Sequence, residues 1–334
     1  MFLPVDNPAA ACYYDATHFV SEVTMSPVCS SVLSALLSAD APVSGTVLAS
    51  NLNITRAAVW KAVQTLRNQG HPILGSPRTG YRLLGDSILS PEGILRFWPS
   101  GVSRPELTVL DTVDSTNAYA KTLAQKGAPA GLAVVSRAQT SGHGRYGRPF
   151  DSPENAGLYL SLLLRPDIPL SDAALLTVYA SVVTARAVEA QLGTDSPSVR
   201  IKWVNDLQMS GKKICGILTE AAVHMESGSL DYAVVGIGIN LFRRTWPEEL
   251  SEVAGDIETL SGRVLSPNRL AADILSGFSD ITETGLKAVL PEYRDRSVLL
   301  DRDILVFPSG NTDPDSGKSF PAHVIGIDDR AGLI

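Results

Sequence analysis

The sequence predicts an α+β protein with three structured parts. Helical periodicity followed by a short hairpin pattern occupies residues 28–84. Strand-like segments with few helices between them follow from residue 107, and short strands return after Pro291. These patterns predict a winged helix-turn-helix, a mixed β-sheet backed by helices, and a small β-barrel. Because the chain stops at residues 331–334 in the middle of the last pattern, we expect the barrel to be incomplete.

Composition indicates a cytoplasmic protein that does not contact membranes. A chain of 334 residues, 44% hydrophobic and 19% charged, is long enough for two or three domains with buried cores. The apolar runs have the length of strands, which predicts no membrane span, and the N-terminus lacks the basic region of a secretory signal. Three scattered cysteines, Cys12, Cys29 and Cys215, are too few for a disulfide framework or a metal site. We expect Cys215 to be a small buried thiol.

Changes of pattern and clusters of Pro and Gly set the expected domain boundaries. The expected parts are a variable extension without regular structure (1–26), a winged helix-turn-helix domain (27–88), a linker with one short helix (89–104), a main domain (105–290) and a C-terminal β domain (291–334).

Three short helices and a hairpin make up the N-terminal domain. Apolar residues line one face of the first helix, the second covers residues 44–51, and Thr55 has the side chain of an N-cap for the third, which Gly70 ends. Two short apolar runs, residues 71–74 and 81–84, flank a Gly- and Pro-containing turn and predict the hairpin. The expected buried positions of the third helix are Ala58, Val59, Ala62, Val63 and Leu66.

The charge of this N-terminal domain favours DNA binding. Between residues 28 and 90, five Lys and Arg residues stand against two Asp residues, an excess of +3 in a chain whose net charge is −7. Such a local reversal of sign suits contacts with phosphates. The alternative is a three-helix packing domain that does not contact DNA. The candidate DNA-binding residues are Thr55, Arg56, Lys61 and Arg67.

The segment QTSGHGRYGR, residues 139–148, is the strongest candidate for a ligand-binding loop. Its glycines permit close approach of backbone to a ligand, and its arginines suit carboxylate or phosphate oxygens. A basic, glycine-spaced loop between two apolar segments therefore predicts closure over an anionic ligand. The alternative is a solvated hairpin with incidental charge.

Three further segments of the main domain have candidate ligand residues. Residues 114–117 (DSTN) lie where a strand meets a helix, so they suit either a polar ligand group or simple N-capping. Lys202 stands between apolar neighbours on a predicted strand and either points into a pocket or is a surface lysine. The segment GIGIN, residues 236–240, ends a strand with two glycines on one face; it lacks the third glycine of a dinucleotide fingerprint.

Taken in this order, the segments resemble the biotin protein ligase family. The resemblance includes the Ser-Thr-Asn motif, Gln139 with its Gly-x-Gly-Arg-x-Gly-Arg loop, KWVND (202–206), KICGILTE (213–220) and GIGIN. With the winged helix, residues 28–334 are similar to the bifunctional type that is both ligase and repressor. His143 stands where the family more often has Arg, which reduces the charge expected of the loop at neutral pH. Val204 stands where the family more often has Pro, which changes a local turn.

The resemblance implies a class II synthetase-like central domain, an SH3-like C-terminal domain and two half-reactions. Biotin and MgATP would give biotinyl-5′-AMP and pyrophosphate, and a lysine of the biotin carboxyl carrier protein of acetyl-CoA carboxylase would then take the biotinyl group. An anionic nucleophile that attacks a triphosphate needs cations, for which Lys202, Arg145 and Mg²⁺ are the candidates. The implied adenylate-bound form is a homodimer that binds operator DNA of biotin genes, so biotin would be both substrate and corepressor precursor.

The resemblance also implies roles for individual residues. The implied catalytic residues are Lys202 and Arg145. The implied biotin-binding residues are Ser115, Thr116, Asn117, Gln139, Gly142, His143, Gly144, Arg145, Lys202 and Gly216. The implied ATP- or adenylate-binding residues are Arg145, Arg148, Phe150, Lys202, Gly238 and Asn240, with Asn240 also an indirect contact to Mg²⁺ and Phe150 an aromatic for the adenine.

Two alternatives remain. A lipoate-type ligase resembles this family in fold and in adenylate chemistry, although the GHGRYGR loop together with KWVND favours biotin. A biotin-sensing repressor with an inactive ligase centre would bind biotin without labelling a carrier, although Lys202 and Arg145 are both present.

Overall fold

The computed structural model describes residues 12–15, 18–22, 25–76, 78–85, 88–223, 229–279, 281–307 and 319–334. The strands are β1 (Cys12–Asp15), β2 (His18–Glu22), β3 (Ile73–Ser76), β4 (Gly80–Leu83), β5 (Leu107–Val113), β6 (Ala133–Gln139), β7 (Gly157–Leu164), β8 (Arg200–Lys202), β9 (Asp206–Met209), β10 (Lys212–Val223), β11 (Leu230–Asn240), β12 (Arg302–Val306) and β13 (Phe320–Val324). The helices are α1 (Pro27–Leu37), α2 (Gly45–Asn51), α3 (Arg56–Asn68), α4 (Pro91–Arg96), α5 (Thr116–Gln125), α6 (Ala174–Leu192), α7 (Glu248–Ser251), α8 (Ile257–Ser261), α9 (Pro267–Ser276), α10 (Glu283–Ala288) and α11 (Leu290–Arg296).

The central sheet is mixed, as the sequence predicts. Its strands lie in the order β1-β2-β5-β6-β7-β11-β10-β9-β8, with β5 and β6 parallel and the other neighbours antiparallel. Helix α5 packs on one face, and α6 with α9, α10 and α11 covers the other. Both faces are therefore buried, which explains the near-continuous apolar run LYLSLLL in β7.

Helix α6 corrects the expectation that apolar runs have only strand length. By length and composition alone, the segment Leu170–Leu192 would suffice to cross a membrane, yet 67% of its apolar window is buried inside the fold. One side of α6 packs on strands β9, β10 and β11, and another side packs on α9, α10 and α11. A helix that packs on two sides buries apolar residues around most of its circumference, so it lacks the single apolar stripe of an amphipathic helix. We interpret α6 as the core helix of the central domain.

The N-terminal module has the predicted elements. Helices α1, α2 and α3 pack around one apolar core with the β3–β4 hairpin beside them. The Thr55 hydroxyl accepts a hydrogen bond from the Ala58 N–H at 3.1 Å, which confirms the predicted N-cap of α3. The predicted buried positions Val59, Ala62, Val63 and Leu66 are buried, and Ala58 is half-buried.

The segment after the hairpin is fixed to the central domain. Helix α4 packs against α1 and α9. The Asn268 side chain accepts from the Ser90 N–H at 3.1 Å and donates to the Ile88 carbonyl at 2.9 Å. Arg137 on β6 donates to the Leu89 carbonyl at 2.8 Å. The segment expected to be a linker therefore packs as part of the fold.

Other expectations differ from the structure at three places. Strands β1 and β2 lie in the segment for which no regular structure was expected, because their backbones extend the sheet beside β5; residues 1–11 lie outside the described residues. The single helix expected over residues 267–285 is two helices, α9 and α10, since the first ends at a Gly277 cap. Strands β12 and β13 form a two-stranded antiparallel sheet, which does not confirm an SH3-like barrel.

The buried side chain of His71 should make the stability of the fold depend on pH. His71 is 5% exposed, its Nε2 atom has no hydrogen-bond partner among the described residues, and burial together with the positive charge of Arg137 lowers its pKa to about 4. The unfolded chain, with a histidine pKa of about 6.5, binds the proton more readily, so stability falls as pH drops from about 6.5 toward about 4. Between pH 7.5 and 5 we expect a loss on the order of 2 kcal/mol from this group.

Urea unfolding of wild type and His71→Leu at the two pH values tests this expectation. Between pH 7.5 and 5, the variant should lose less unfolding free energy than wild type, and the difference should be on the order of 2 kcal/mol. Equal dependences in the two proteins would show that His71 does not titrate as described.

Candidate functional site

A cavity of about 560 Å³ lies between the start of α5, the end of β6, the β8–β9 turn and the strands β10 and β11. It brings together the four candidate segments, which are far apart in the sequence. The predicted ligand residues that line it are Ser115, Thr116, Asn117, Gln139, His143, Gly144, Arg145, Arg148, Phe150, Lys202, Gly216, Gly238 and Asn240.

Gly142 is a predicted ligand residue that does not line the cavity. A Cβ atom at this position would lie 2.6 Å from the Phe150 carbonyl oxygen and 2.9 Å from Gln139 Nε2. The Gly142 carbonyl accepts from the Phe150 N–H at 2.8 Å. Gly142 therefore lets the two ends of the loop pack together, and its role as a ligand residue stays a prediction.

One end of the cavity is a neutral polar network built on the N-terminus of α5. The Gln139 side-chain oxygen accepts from the Thr116 N–H at 2.9 Å and from the Thr116 hydroxyl at 3.1 Å. The Gln139 amide nitrogen donates to the Ser152 hydroxyl at 3.0 Å. The Ser115 hydroxyl caps α5, accepting from the Ala118 N–H at 3.4 Å. The capping interpretation of this motif is confirmed, and because Ser115 also lines the cavity, the ligand-binding interpretation stays a prediction.

Asn117 is oriented by a charged pair behind it. Its Nδ2 donates to Glu220 at 2.9 Å and to the Leu218 carbonyl at 3.2 Å, and its Oδ1 lies 2.6 Å from the Ser161 hydroxyl. Glu220 also pairs with Lys121 at 2.7 Å. Burial raises the pKa of Glu220, but hydrogen bonds from Lys121 and Asn117 outweigh burial, so the pKa lies below its usual range. An ionised Glu220 fixes the amide orientation of Asn117.

Three glycines on β10 and β11 give the cavity a flat floor. Gly216 and Gly238 are cross-strand partners, and a Cβ at Gly238 would lie 2.5 Å from the Phe150 ring. A Cβ at Gly236 would lie 2.1 Å from Asn117 Oδ1. The glycines were expected to admit a flat ligand; in the structure Gly238 and Gly216 make room for the ring of Phe150, and Gly236 makes room for Asn117.

Cationic side chains surround the middle of the cavity. Lys202, at the end of β8, is exposed and lines the cavity, so it is not merely a lysine on the outer surface. Arg145 and Arg148 reach the cavity from the loop, and Arg145 lies 5.3 Å from the ring centroid of Tyr146. Lys213 pairs with Asp206 at 2.7 Å, and its Nζ would lie 3.2 Å from a Cβ atom at Gly216. The arrangement suits an anion between a neutral recognition end and these cations.

The loop itself is folded and lies over the polar end. The Gly144 N–H donates to the Arg148 carbonyl at 2.8 Å, closing a tight turn in which Tyr146 has φ +59° and is 68% exposed. His143 Nε2 lies 4.0 Å from Glu220. This contact links the residue that departs from the family pattern to the carboxylate that orients Asn117.

Several cavity residues were missed by sequence reasoning. Lys213 begins the KICGILTE segment, but the sequence predicted no role for it. Its pairing with Asp206 depends on the β9–β10 register. Arg244 and Trp246 follow β11 in an irregular segment that has no periodicity to mark them. Arg244 pairs with Asp151 at 2.8 Å and lies 3.8 Å from the Trp246 ring centroid.

Cys215 precedes Gly216 in the chain. It is fully buried, which confirms the expectation of a small buried thiol, and burial raises the pKa of that thiol. Among the described residues, no group of three or more His, Cys, Asp or Glu side chains could hold a metal ion. The cationic side chains that line the cavity, Lys202, Arg145 and Arg148, can stabilise negative charge on a bound ligand.

The candidate DNA residues differ in their surroundings. Arg56 and Lys61 are exposed on α3, beside the 52% exposed Trp60, which sequence reasoning missed. Arg67 instead donates to the carbonyls of Ile73 and Gly75 at 2.9 and 2.7 Å, which favours a role in holding the hairpin. Thr55 caps the helix.

Two family models match the chain. The Biotin/lipoate A/B protein ligase family matches residues 109–240, and an HTH domain matches residues 30–82. The chain is 36% identical over 239 residues to Bifunctional ligase/repressor BirA of Bacillus spizizenii, covering 71% of this chain and 72% of the relative. It is 33% identical over 263 residues to BirA of Escherichia coli, covering 78% of each. Biotin protein ligase from Aquifex aeolicus, solved with biotin and ATP, superposes with a TM-score of 0.54 at 25% identity, covering 68% of this chain and 90% of that one.

Proposed function

The chain belongs to the family of bifunctional biotin ligase–repressors, and on this premise we propose that its cavity activates biotin with ATP and transfers it to a lysine of a biotin carboxyl carrier protein. The observation that supports this most is the cavity itself. A neutral hydrogen-bonding network at one end is followed by a cationic middle, with Phe150 between glycines on the floor. A ligand with a neutral polar ring and a carboxylate tail fits that order of groups.

In the proposed binding mode, the ureido ring of biotin lies at the polar end. Ser115, Thr116, Asn117 and Gln139 offer both donors and acceptors there, as a urea group requires. Asn117 is held in one orientation by Glu220. The biotin carboxylate then points toward Lys202 and Arg145, and Phe150 offers a ring face to the adenine.

In the first half-reaction, a biotin carboxylate oxygen bonds to the α-phosphorus of ATP as the bond to pyrophosphate breaks. Both reactants are anionic, so fixed positive charge lowers the barrier. Lys202 and Arg145 supply that charge. In the second half-reaction the carrier lysine attacks the acyl carbon and AMP leaves, so no enzyme nucleophile is required.

Magnesium would enter with the nucleotide. Mg²⁺ prefers oxygen ligands and keeps phosphates and waters as most of its shell, so one or two protein oxygens suffice. The cavity offers the Asn240 side chain, whose Nδ2 is turned toward the Lys213 carbonyl at 3.4 Å, and the Asp206 carboxylate. These residues fit such a shell, and the bound ion would offset phosphate charge.

Pyrophosphate release separates the proposal from its alternatives. Wild type should release pyrophosphate with biotin and MgATP, and release should remain at background level with lipoate. Release with lipoate but not biotin would indicate a lipoate-type ligase. Tight biotin binding without release would indicate a repressor with an inactive ligase centre.

The N-terminal module accounts for the repressor half of the proposed function. We place α3 at operator DNA of biotin genes, with Arg56 and Lys61 in or beside the groove. The proposed binding form is the adenylate-bound homodimer, and the proposed compartment is the cytoplasm. The polar exposed face of α3, together with Arg78 and Arg82 on the hairpin, supports this placement.

Removing both Arg56 and Lys61 should weaken operator binding about tenfold or more and make it less dependent on salt, because two phosphate contacts are lost. Gel-shift titrations with biotin and MgATP present, at several salt concentrations, measure both effects. The charge-matched control is Arg263→Ala with Arg330→Ala, two exposed residues outside the module. If wild type shows no preference for biotin-gene promoters over random DNA, the repressor half is wrong.

A further inference from the structure

Arg244 lines the cavity, and one edge of its buried guanidinium has no hydrogen-bond partner among the described residues. Its side chain is 12% exposed, and Nη1 donates to Asp151 at 2.8 Å. The Nε and Nη2 atoms are buried, and neither has a hydrogen-bond partner among the described residues. A buried donor without an acceptor is costly, and here two donors of one charged group are in that position.

The unpartnered edge has the geometry of a two-pronged donor. Nε–H and one Nη2–H lie in the guanidinium plane along the same edge and point in parallel, so together they match two oxygens of one phosphate or carboxylate. An adenine edge fits poorly, since it presents an acceptor beside a donor rather than two acceptors. The unpartnered Nε–Nη2 edge therefore favours an oxyanion as its ligand.

Two neighbours keep this fork in place. The Trp246 ring centroid lies 3.8 Å from the guanidinium carbon, and the Trp246 N–H donates to Asp256 at 3.4 Å. Asp151, 43% exposed, pairs with the opposite edge. The Arg244 guanidinium is thus stacked on Trp246 and paired with Asp151 through Nη1, while its Nε–Nη2 edge has no partner among the described residues.

The position of Arg244 indicates which anion it meets. Along β11, Gly236 lies at Asn117, Gly238 lies at the Phe150 ring, and the strand ends at Asn240. At about 3.3 Å per residue, those positions span about 13 Å. Arg244 follows that end, and its ion pair with Asp151 places it beside the Phe150 segment. From this placement we infer that Arg244 lies on the nucleotide side of the cavity.

We propose that the Nε–Nη2 edge of Arg244 binds the pyrophosphate moiety of ATP, its β- and γ-phosphates, and so adds a binding residue to the nucleotide side of the site. The proposal rests on the proposed function, because it takes ATP as the nucleotide. It assigns to Arg244 a different group from Lys202 and Arg145, which act at the reacting α-phosphate.

Calorimetric titration of the full chain with inorganic pyrophosphate, ATP, AMP and biotin tests the proposal. Arg244→Lys keeps a positive charge but loses the fork. It should weaken pyrophosphate and ATP binding about 10- to 100-fold while AMP and biotin affinities change less than about threefold. Arg243→Lys, at the exposed neighbouring position, should leave all four affinities unchanged.

The outcomes separate this proposal from the function it rests on. Unchanged pyrophosphate affinity in a folded Arg244→Lys protein overturns the proposal, and so does an equal loss for AMP. Thermal unfolding and biotin affinity verify the fold of the variant. Wild type that forms no biotinyl-AMP would instead overturn the proposed function, whatever Arg244 binds.

Discussion

Replacing Lys202 by alanine is expected to lower the rate of biotinyl-AMP formation about 100-fold or more. The residue ends β8 and lines the cationic middle of the cavity, where we propose that the carboxylate meets the α-phosphate. A positive charge that stabilises the transition state in a partly desolvated site contributes roughly 3 kcal/mol, which corresponds to this factor. Single-turnover formation of the adenylate, with biotin and MgATP saturating, measures the rate without contributions from transfer.

Arg200→Ala is the matched control for this experiment. Arg200 lies two residues earlier on the same strand, donates to the Ser297 carbonyl at 3.1 Å and does not line the cavity. Its loss removes the same charge from β8 but should leave the rate within about threefold of wild type. A near-normal rate in Lys202→Ala would show that Lys202 has no role in adenylation.

Replacing Gly236 by alanine is expected to weaken biotin binding about 100-fold. A Cβ at this position would lie 2.1 Å from Asn117 Oδ1 and 3.0 Å from Asn117 Nδ2, so the amide must move. Movement breaks its bonds to Glu220 and Ser161 and displaces its amide oxygen, an acceptor, from the polar end. Two charge-assisted or buried hydrogen bonds account for roughly 3 kcal/mol. Equilibrium titration with biotin alone measures this loss.

Gly326→Ala provides a control in which the new methyl group has space. Its nearest neighbours are atoms of Ile334 at 3.4 Å or more, an ordinary contact distance, and Gly326 does not line the cavity. Biotin affinity should match wild type in this variant. If Gly236→Ala also binds biotin normally while it remains folded, Asn117 does not contact the ureido ring.

The elements that sequence reasoning predicted well are those fixed by local chemistry. Thr55 and Ser115 each cap the helix that follows them, and Gly238 and Asn240 end a strand. A short polar side chain before a helix satisfies that helix's own first N–H groups, so its effect is visible within a few residues of sequence. Among the candidate ligand segments, residues 114–117 lie at such a boundary, whereas the loop 139–148 and GIGIN were marked by the spacing of their glycines.

The features that were missed depend on contacts between distant residues. Asn268 fixes the segment around Ser90 from 178 residues away, which turns an expected linker into packed structure. Gly216 and Gly238 face each other only through the β10–β11 register, so no local pattern shows that they share the Phe150 ring. Arg244 lies in an irregular segment, and its pairing with Asp151 comes from the tertiary fold.

The most direct test of the proposed function is the mass of a carrier domain after incubation with this protein, biotin and MgATP. The carrier should gain the mass of one biotinyl group, only when both biotin and ATP are present, and a carrier with its target lysine replaced by arginine should gain nothing. A carrier of unchanged mass, under conditions where biotin and ATP both bind, would contradict the assignment of this cavity as a biotin ligase site.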